Sequence, residues 1–276
     1  MENEELKNLV KEKYGKIAEQ DEPDKSCGCS SSCCGPEVDY TVFSESYENK
    51  EGYNPDADMN LGCGIPTDYA GIKRGDHVLD LGSGAGNDCF VARAIVGETG
   101  KVTGIDMTVP MVLKARENCD KLKYENVEFV LGDIENMPFE NNKFNVVISN
   151  CVLNLVPDKT KAFREIFRVL KPGGHFCVSD VVLRGKLSEK MKQDAEMYAG
   201  CVSGASEMDD YLKIIENSGF LNLRIHKQRE IKLPDSLLSE FNDKNELSSR
   251  HAGETGIFSI TVSAERPSGC ICGEIR

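Results

Sequence analysis

Apolar residues recur at helical spacing over residues 3–19, where Leu6, Leu9, Val10, Tyr14, Ile17 and Ala18 share one face opposite charged side chains. That pattern predicts a surface helix. It breaks at DEPDKSCGCSSSCCGPE, a Ser-, Gly- and Cys-rich run with Pro23 and Pro36 at its flanks, which predicts a loop. Residues 38–62 have little periodicity and read as a lid or wrapping segment. From Asp76 onward, short apolar runs alternate with helical patterns. HVLDLGSG, KVTGIDM, VEFVLGD, FNVVISN and HFCVSDVVL predict five strands. NDCFVARAIVG, PMVLKARENCDKL and KTKAFREIFRVL predict the helices between them, with Pro110 in a first turn and Lys171-Pro172-Gly173-Gly174 as a stop. Alternation at this spacing specifies an α/β fold with a doubly wound, mostly parallel sheet. A helix at 207–218 and strands near 220–231 and 256–264 complete the sheet with an antiparallel edge.

The strand ends carry the candidate chemistry. The first delivers Asp80-Leu81-Gly82-Ser83-Gly84-Ala85-Gly86, whose glycines permit a tight turn and close backbone approach to a ligand. Taken singly, this spacing is weak, because dinucleotide dehydrogenases carry a related GxGxxG. Asp106 ends the second strand, where a carboxylate accepts ribose hydroxyls, and Asp133 ends the third, where one accepts an adenine amino group. Either acid alone could cap a turn. A glycine loop and two acids on consecutive strand ends point to a nucleoside, since open α/β sheets bind ligands there.

Composition narrows the ligand. The chain has 276 residues, long enough to bury a core without disulfide staples. A net charge of −13 repels phosphate backbones and anionic lipid, which argues against nucleic acid and membrane partners. MENEELKNLVKEK lacks the basic and apolar runs of a secretory signal, and no stretch nears the length of a membrane span, so a cytoplasmic protein is expected. Twelve cysteines in a reducing compartment favour metal binding or thiol chemistry over disulfides. Cys151 directly follows the fourth strand, facing the ligand end of the sheet. Cys63 lies in Leu61-Gly62-Cys63-Gly64-Ile65-Pro66 and Cys201 in Ala199-Gly200-Cys201-Val202-Ser203-Gly204, where glycine neighbours are expected to expose a thiol. Cys89, Cys119 and Cys177 sit among apolar residues and read as small core side chains.

VLDLGSGAGNDCF, VTGIDM, GDIENMPFENNKFNVVIS and REIFRVLKPGG resemble the successive motifs of class I S-adenosylmethionine methyltransferases, over about residues 64–182. The resemblance implies a Rossmann-like, seven-stranded fold and cofactor contacts from Asp80, Gly82, Ser83, Gly84, Gly86, Asp106, Met107 and Asn150, with Asp133 and Ile134 at the adenine. It divides the chain into an N-terminal helix and Cys-rich lid (1–60), a cofactor-binding domain (61–184) and a C-terminal region completing the sheet (185–276). LGCGIP, SNCVLNLVPDK and GCVSGA together are similar to arsenite S-adenosylmethionine methyltransferases. That resemblance implies that Cys63, Cys151 and Cys201 bind As(III), supplied as such or as a thiol conjugate, with methylarsenite and dimethylarsenic species as products of a detoxifying reaction. One departure is Asn60-Leu61, where many eukaryotic members carry Tyr-Tyr.

The arsenic chemistry is coherent on its own terms. As(III) is thiophilic, and three-coordinate arsenic keeps a lone pair able to take a methyl group. Thiolate ligands leave no proton to remove, so His77, His175, His226 and His251 need no catalytic part. The cluster Cys27-Gly28-Cys29-Ser30-Ser31-Ser32-Cys33-Cys34 does not match zinc spacing. The family resemblance implies an N-terminal cysteine that forms a disulfide with Cys63 during turnover, a role open to Cys33 and Cys34, with thioredoxin or glutathione as reductant. Cys33 and Cys34 could instead capture arsenic and pass it inward, with Cys270 and Cys272 as a second capture pair or an exposed tail. A monomer is expected. Two other readings remain at this point: a methyltransferase of a small organic or quinone substrate, and a non-enzymatic metalloid sensor.

Overall fold

The computed structural model describes residues 3–19, 45–185, 204–231 and 256–269. Helix α1 (Asn3–Glu19) comes first. Then β1 (His77–Leu81), α2 (Asn87–Val96), β2 (Lys101–Asp106), α3 (Val109–Leu122) and β3 (Val127–Leu131) form the first half of the sheet. The second half is β4 (Phe144–Asn150), α4 (Lys159–Val169), β5 (Leu170–Arg184), α5 (Met208–Asn217), β6 (Leu221–Ile231) and β7 (Gly256–Glu265). The sheet order is β3-β2-β1-β4-β5-β7-β6. Pairs up to β5 are parallel, and β7 is antiparallel to both β5 and β6. This is the doubly wound, mostly parallel sheet with an antiparallel edge expected from the strand and helix alternation, and it has the seven strands that the family resemblance implies.

Strand residues alternate strictly between two cores. Val78, Val102, Val146 and Ile148 face α2 and α3 and join Phe90, Ala115 and Phe129. Leu79, Leu81, Ile105 and Val147 point the other way, toward Phe163 and Ile166 of α4 and Tyr211 and Ile215 of α5. The period of two, apolar on both faces, is what a parallel sheet covered by helices requires. Helix α1 packs against α3 at the rim. Among the described residues no helix is long and apolar enough to cross a membrane.

One local expectation needs correction. Lys171-Pro172-Gly173-Gly174 does not stand outside the sheet as a helix stop. α4 ends at Val169, and β5 begins immediately at Leu170. Leu170 pairs with Phe144 and His175 with Val146, so the KPGG residues form an irregular bulge in the strand's first turn. Gly173 takes a positive φ of 78° there, and a Cβ on Gly174 would come within 2.8 Å of the Asn145 carbonyl oxygen.

The sheet reverses direction between β1 and β4. The chain runs outward from β1 to β2 and β3, then returns to place β4 on the other flank of β1. The carboxyl ends of these two strands therefore open a crevice at the switch point. Everything described below lies at that end. Phe176, fully buried on β5 with ring neighbours Phe163 at 5.6 Å and Phe220 at 4.8 Å, holds the α4–α5 layer to the sheet. Phe176→Ala is expected to lower unfolding free energy by about 3–5 kcal/mol in urea titrations followed by circular dichroism. A loss under about 1 kcal/mol would contradict this packing.

Candidate active site

The crevice opens into a cleft of about 1110 Å³, a volume that includes the open solvent at its mouth. Its floor is the loop after β1. Gly82, Gly84 and Gly86 all adopt positive φ (62°, 50° and 101°), backbone that a side chain disfavours. Their surroundings differ. A Cβ on Gly84 would meet nothing nearer than Met111 Sδ at 4.0 Å, so its backbone faces open cleft. At Gly82 a Cβ would lie 2.4 Å from Val152, the residue after Cys151. Gly86 lies outside the lining, pressed by Phe129 and Phe90 at 2.8 and 2.9 Å, and serves the turn into α2. The other cofactor candidates, Asp80, Ser83, Asp106, Met107, Asp133, Ile134 and Asn150, line the cleft with Gly82 and Gly84.

Asp106 organises this floor. Its Oδ2 accepts from the Gly84 amide at 3.0 Å and its Oδ1 from the Thr108 amide at 2.8 Å. Ser83 Oγ is buried in the lining without a hydrogen-bond partner among the described residues, a polar atom that asks for a ligand.

The opposite wall was not visible in the sequence. Helix α1 contributes Lys7, Val10 and Tyr14. Lys7 Nζ donates to Asp133 Oδ2 at 2.6 Å and also pairs with Glu135. Burial alone would lower the Lys7 pKa, but the two carboxylates outweigh it and raise it. Burial would raise the Asp133 pKa, yet Lys7 holds it below the usual carboxylate range. Lys7 thus already occupies one oxygen of the acid expected at the adenine.

The cleft's charge is one-sided. Among the described residues, Asp58, Asp80, Asp88, Asp106 and Asp133 line it against the single cation Lys7. Burial pushes the pKa of Asp80, Asp88 and Asp106 upward. The charges of Asp88 and Asp106 raise Asp80 further, and that of Asp58 raises Asp88. A cationic ligand would relieve that repulsion, whereas a pyrophosphate would add to it.

At its inner end the cleft is closed by Cys151, which has a positive φ of 60°, a strained state for a non-glycine residue. The Cys151 amide donates to the Ser179 carbonyl at 2.8 Å. Cys63 and Cys151 belong to one apolar cluster with Val10, Leu155, Val181 and Ile231. Cys63 is 0% exposed and Cys151 4%. This corrects the expectation that glycine neighbours expose Cys63. Those glycines instead allow close approach, because a Cβ on Gly62 would lie 2.5 Å from Asn150 Nδ2 and one on Gly64 2.6 Å from Ser179 Oγ. Cys201, Cys33 and Cys34 lie outside the described residues, as do Cys270 and Cys272. Cys89, Cys119 and Cys177 are buried within the sheet's α2–α3 core, and burial raises the Cys177 pKa to about 12.

Asn150 binds neighbouring segments together. Its Nδ2 donates to the Gly64 carbonyl at 2.8 Å and to Tyr47 Oη at 2.9 Å, while Tyr47 Oη donates to Asp88 Oδ1 at 2.7 Å. Tyr47, from the wrapping segment, gave no signal in the sequence. The described histidines stay away from the thiols. His77 and His175 stand at the amino ends of their strands, and His226 lies on the edge strand β6.

A buried polar group backs the two cysteines. Tyr211 Oη donates to Asp180 Oδ2 at 3.1 Å, and Lys159 Nζ donates to the Gly204 carbonyl at 3.0 Å. Burial raises the Asp180 pKa to about 7 despite the opposing Lys159 charge. A carboxyl raised in the fold contributes stability that is full below its unfolded value of 3.8 and lost as pH rises through about 7. Asp180→Asn removes that loss. Its stability relative to the parent is expected to rise between pH 4 and pH 8, by up to about 4 kcal/mol at the upper end. Urea midpoints across that range measure it, and parallel curves for the two proteins would contradict the assignment.

Comparison with known proteins sharpens the picture. Residues 72–219 match a family described as a methyltransferase domain. The chain is 38% identical to an arsenite methyltransferase of Halobacterium salinarum, over 96% of this chain and 68% of that one. It is 40% identical to the arsenite methyltransferase of Rattus norvegicus, over 59% of this chain and 46% of the rat protein. The chain thus spans about two thirds of the first relative and under half of the second. The crystal structure of an arsenic(III) S-adenosylmethionine methyltransferase from Chlamydomonas reinhardtii superposes with a TM-score of 0.64 at 36% identity, covering 75% of this chain and 68% of that one.

Proposed function

The chain belongs to the arsenite methyltransferase family of S-adenosylmethionine-dependent methyltransferases, and from that premise we propose that it methylates As(III) held on its own cysteines. The observation that carries this reading is that Cys151 both lines the cofactor cleft and shares a buried cluster with Cys63.

The residues present fit the cofactor. An unpartnered Ser83 hydroxyl, an open face at Gly84 and a cleft of carboxylates suit a nucleoside bearing positive charge. S-adenosylmethionine, when bound, supplies a methyl group on a positively charged sulfur. Asp106 would hold the ribose, Asp133 and Ile134 the adenine, and the Gly82–Gly84 backbone with Asp80 the amino-acid end. The acids balance the ligand's charge out of water. Val10 and Tyr14 of α1 close the outer wall and limit solvent entry.

Cys63 and Cys151, with Cys201 as the third ligand, bind As(III) as thiolates and leave its lone pair directed at the cleft. No side chain has to remove a proton, so the work of the protein is orientation. Loss of the lone pair to a methyl group leaves arsenic pentavalent. Two thiols return two electrons and become a disulfide, a part suited to Cys63 with Cys33 or Cys34, and thioredoxin or glutathione reopens it. Methylarsenite is the first product, and a second round gives dimethylarsenic species. The cytoplasm, where such reductants act, is the compartment this chemistry needs, and a monomer suffices because both halves of the site come from one chain.

The test uses purified protein, radiolabelled S-adenosylmethionine, As(III) and glutathione, with arsenic species separated by chromatography. Methylarsenic is expected from the parent and at least a hundredfold less from Cys151→Ser, with cofactor binding retained. Asp106→Ala is expected to weaken cofactor binding at least tenfold by calorimetry while leaving As(III) uptake intact. Cofactor binding without any methylarsenic would sink the arsenic reading and leave an organic methyl acceptor.

A further inference from the structure

The peptide of Cys63 is held from both sides. Its N–H donates to Asn150 Oδ1 at 3.0 Å, from the end of β4. Its carbonyl accepts from Ser259 Oγ at 2.6 Å, from β7, 196 residues along the chain. The Ser259 contact is buried, with Ser259 4% exposed, and the Asn150 contact is partly buried. On one flank Gly62 sits against the Asn150 amide, and on the other Gly64 sits against the Ser179 hydroxyl. That hydroxyl is itself tied to Thr261 Oγ1 at 2.9 Å, two residues beyond Ser259 on the same strand.

These contacts fix more than a loop. With its N–H and C=O both committed, and both neighbours lacking room for a Cβ, Cys63 cannot rotate as a peptide unit. Its Cα–Cβ direction is set by three strands at once, and the sulfur keeps only the choice among staggered χ1 wells. Cys151 is fixed independently, by its left-handed backbone and its bond to the Ser179 carbonyl. Ser179 therefore touches the settings of both cysteines, with its carbonyl at one and its hydroxyl at the other.

We propose that Ser259 and Asn150 are positioning residues of the arsenic site, clamping the Cys63 peptide so that its thiol stands ready beside Cys151 before substrate arrives. The proposal rests on the arsenic reading above. Ser259 is outside the lining of the cofactor cleft, so its effect falls on the arsenic half alone. A soft centre bridging two sulfurs tolerates little error in their separation, and a thiol free to swing would have to be ordered at each binding event.

The experiment compares Ser259→Thr with Ser259→Val. The two side chains have the same shape and differ in one donor hydroxyl, so any steric burden is common to both. Binding of As(III) is measured by equilibrium gel filtration with elemental mass spectrometry, in full-length protein whose Cys27, Cys29, Cys33, Cys34, Cys270 and Cys272 are Ser. Cofactor affinity is measured in parallel by calorimetry. Ser259→Thr is expected to bind As(III) within about twofold of the parent and Ser259→Val about tenfold more weakly, both with unchanged cofactor affinity. In Ser259→Val protein that keeps all native cysteines, the KM for arsenic should rise while the cofactor KM stays unchanged. Equal arsenic affinity in the two variants would overturn the proposal, as would a loss in Ser259→Val matched by an equal loss for the cofactor. If instead the parent binds no As(III), or binds it equally well with Cys63→Ser, the underlying arsenic reading has failed, and the proposal falls with it.

Discussion

The loop after β1 and the loop after β4 have to touch. Their strands are neighbours in the sheet, and both run toward the same end. Contact occurs at Gly82, where any side chain would occupy the space of Val152. The first glycine of the loop is therefore required as much by the thiol side of the site as by a nucleoside. This contact lets one wall serve two chambers. On one side is the cleft with Ser83, Gly84 and Asp106, and on the other the apolar cluster holding Cys63 and Cys151. Cys151, one residue before Val152, stands at the boundary. Its positive φ is held by the bond from its amide to the Ser179 carbonyl.

Electrostatics then divides the two chambers by chemistry. The cleft gathers five aspartates and one lysine, and the burial of Asp80, Asp88 and Asp106 makes their charges costly until a cation arrives. The cluster behind it offers sulfur and hydrocarbon, with charge kept further back in Asp180, Tyr211 and Lys159. A hard, anionic ligand suits neither. A positively charged nucleoside on one side and a soft, thiophilic centre on the other match both, which is the pairing proposed for the family reaction.

Much of this was legible before any coordinates, for definite reasons. Short, mainly apolar runs separated by helical patterns leave little choice but a parallel sheet, and Gly82, Asp106 and Asp133 fall at strand ends by counting alone. The thiols were legible as well, since Cys63 and Cys151 sit in short motifs with unusual neighbours. What the sequence concealed is of two kinds. Lys7 and Tyr47 lie in segments whose local pattern says only helix and loop, and they reach the site because those segments fold over it. The flanking glycines of Cys63 looked like a device for exposing a thiol. They are a device for close packing, because what presses on them comes from β4 and β5, far away in the sequence. A glycine reports that something needs its space without saying whether that is solvent, ligand or another strand.

The same point bears on the C-terminal strands. β6 and β7 extend a sheet that already has its switch point, and the cofactor cleft draws no lining from either. On the cofactor side alone they look dispensable. They are not dispensable to Cys63, whose carbonyl ends on Ser259, or to the Ser179 hydroxyl, which ends on Thr261. The antiparallel insertion of β7 beside β5 puts two hydroxyls of one strand face under the Cys63 peptide, spaced two residues apart as the pleat dictates. A methyltransferase acting on a substrate held by other means has no need of hydroxyls there. The proposed nucleoside half of the site thus belongs to the parallel sheet, while the proposed thiol half depends on how the chain closes the sheet's far edge. If Ser259 holds Cys63 as proposed, that edge helps set the identity of the methyl acceptor.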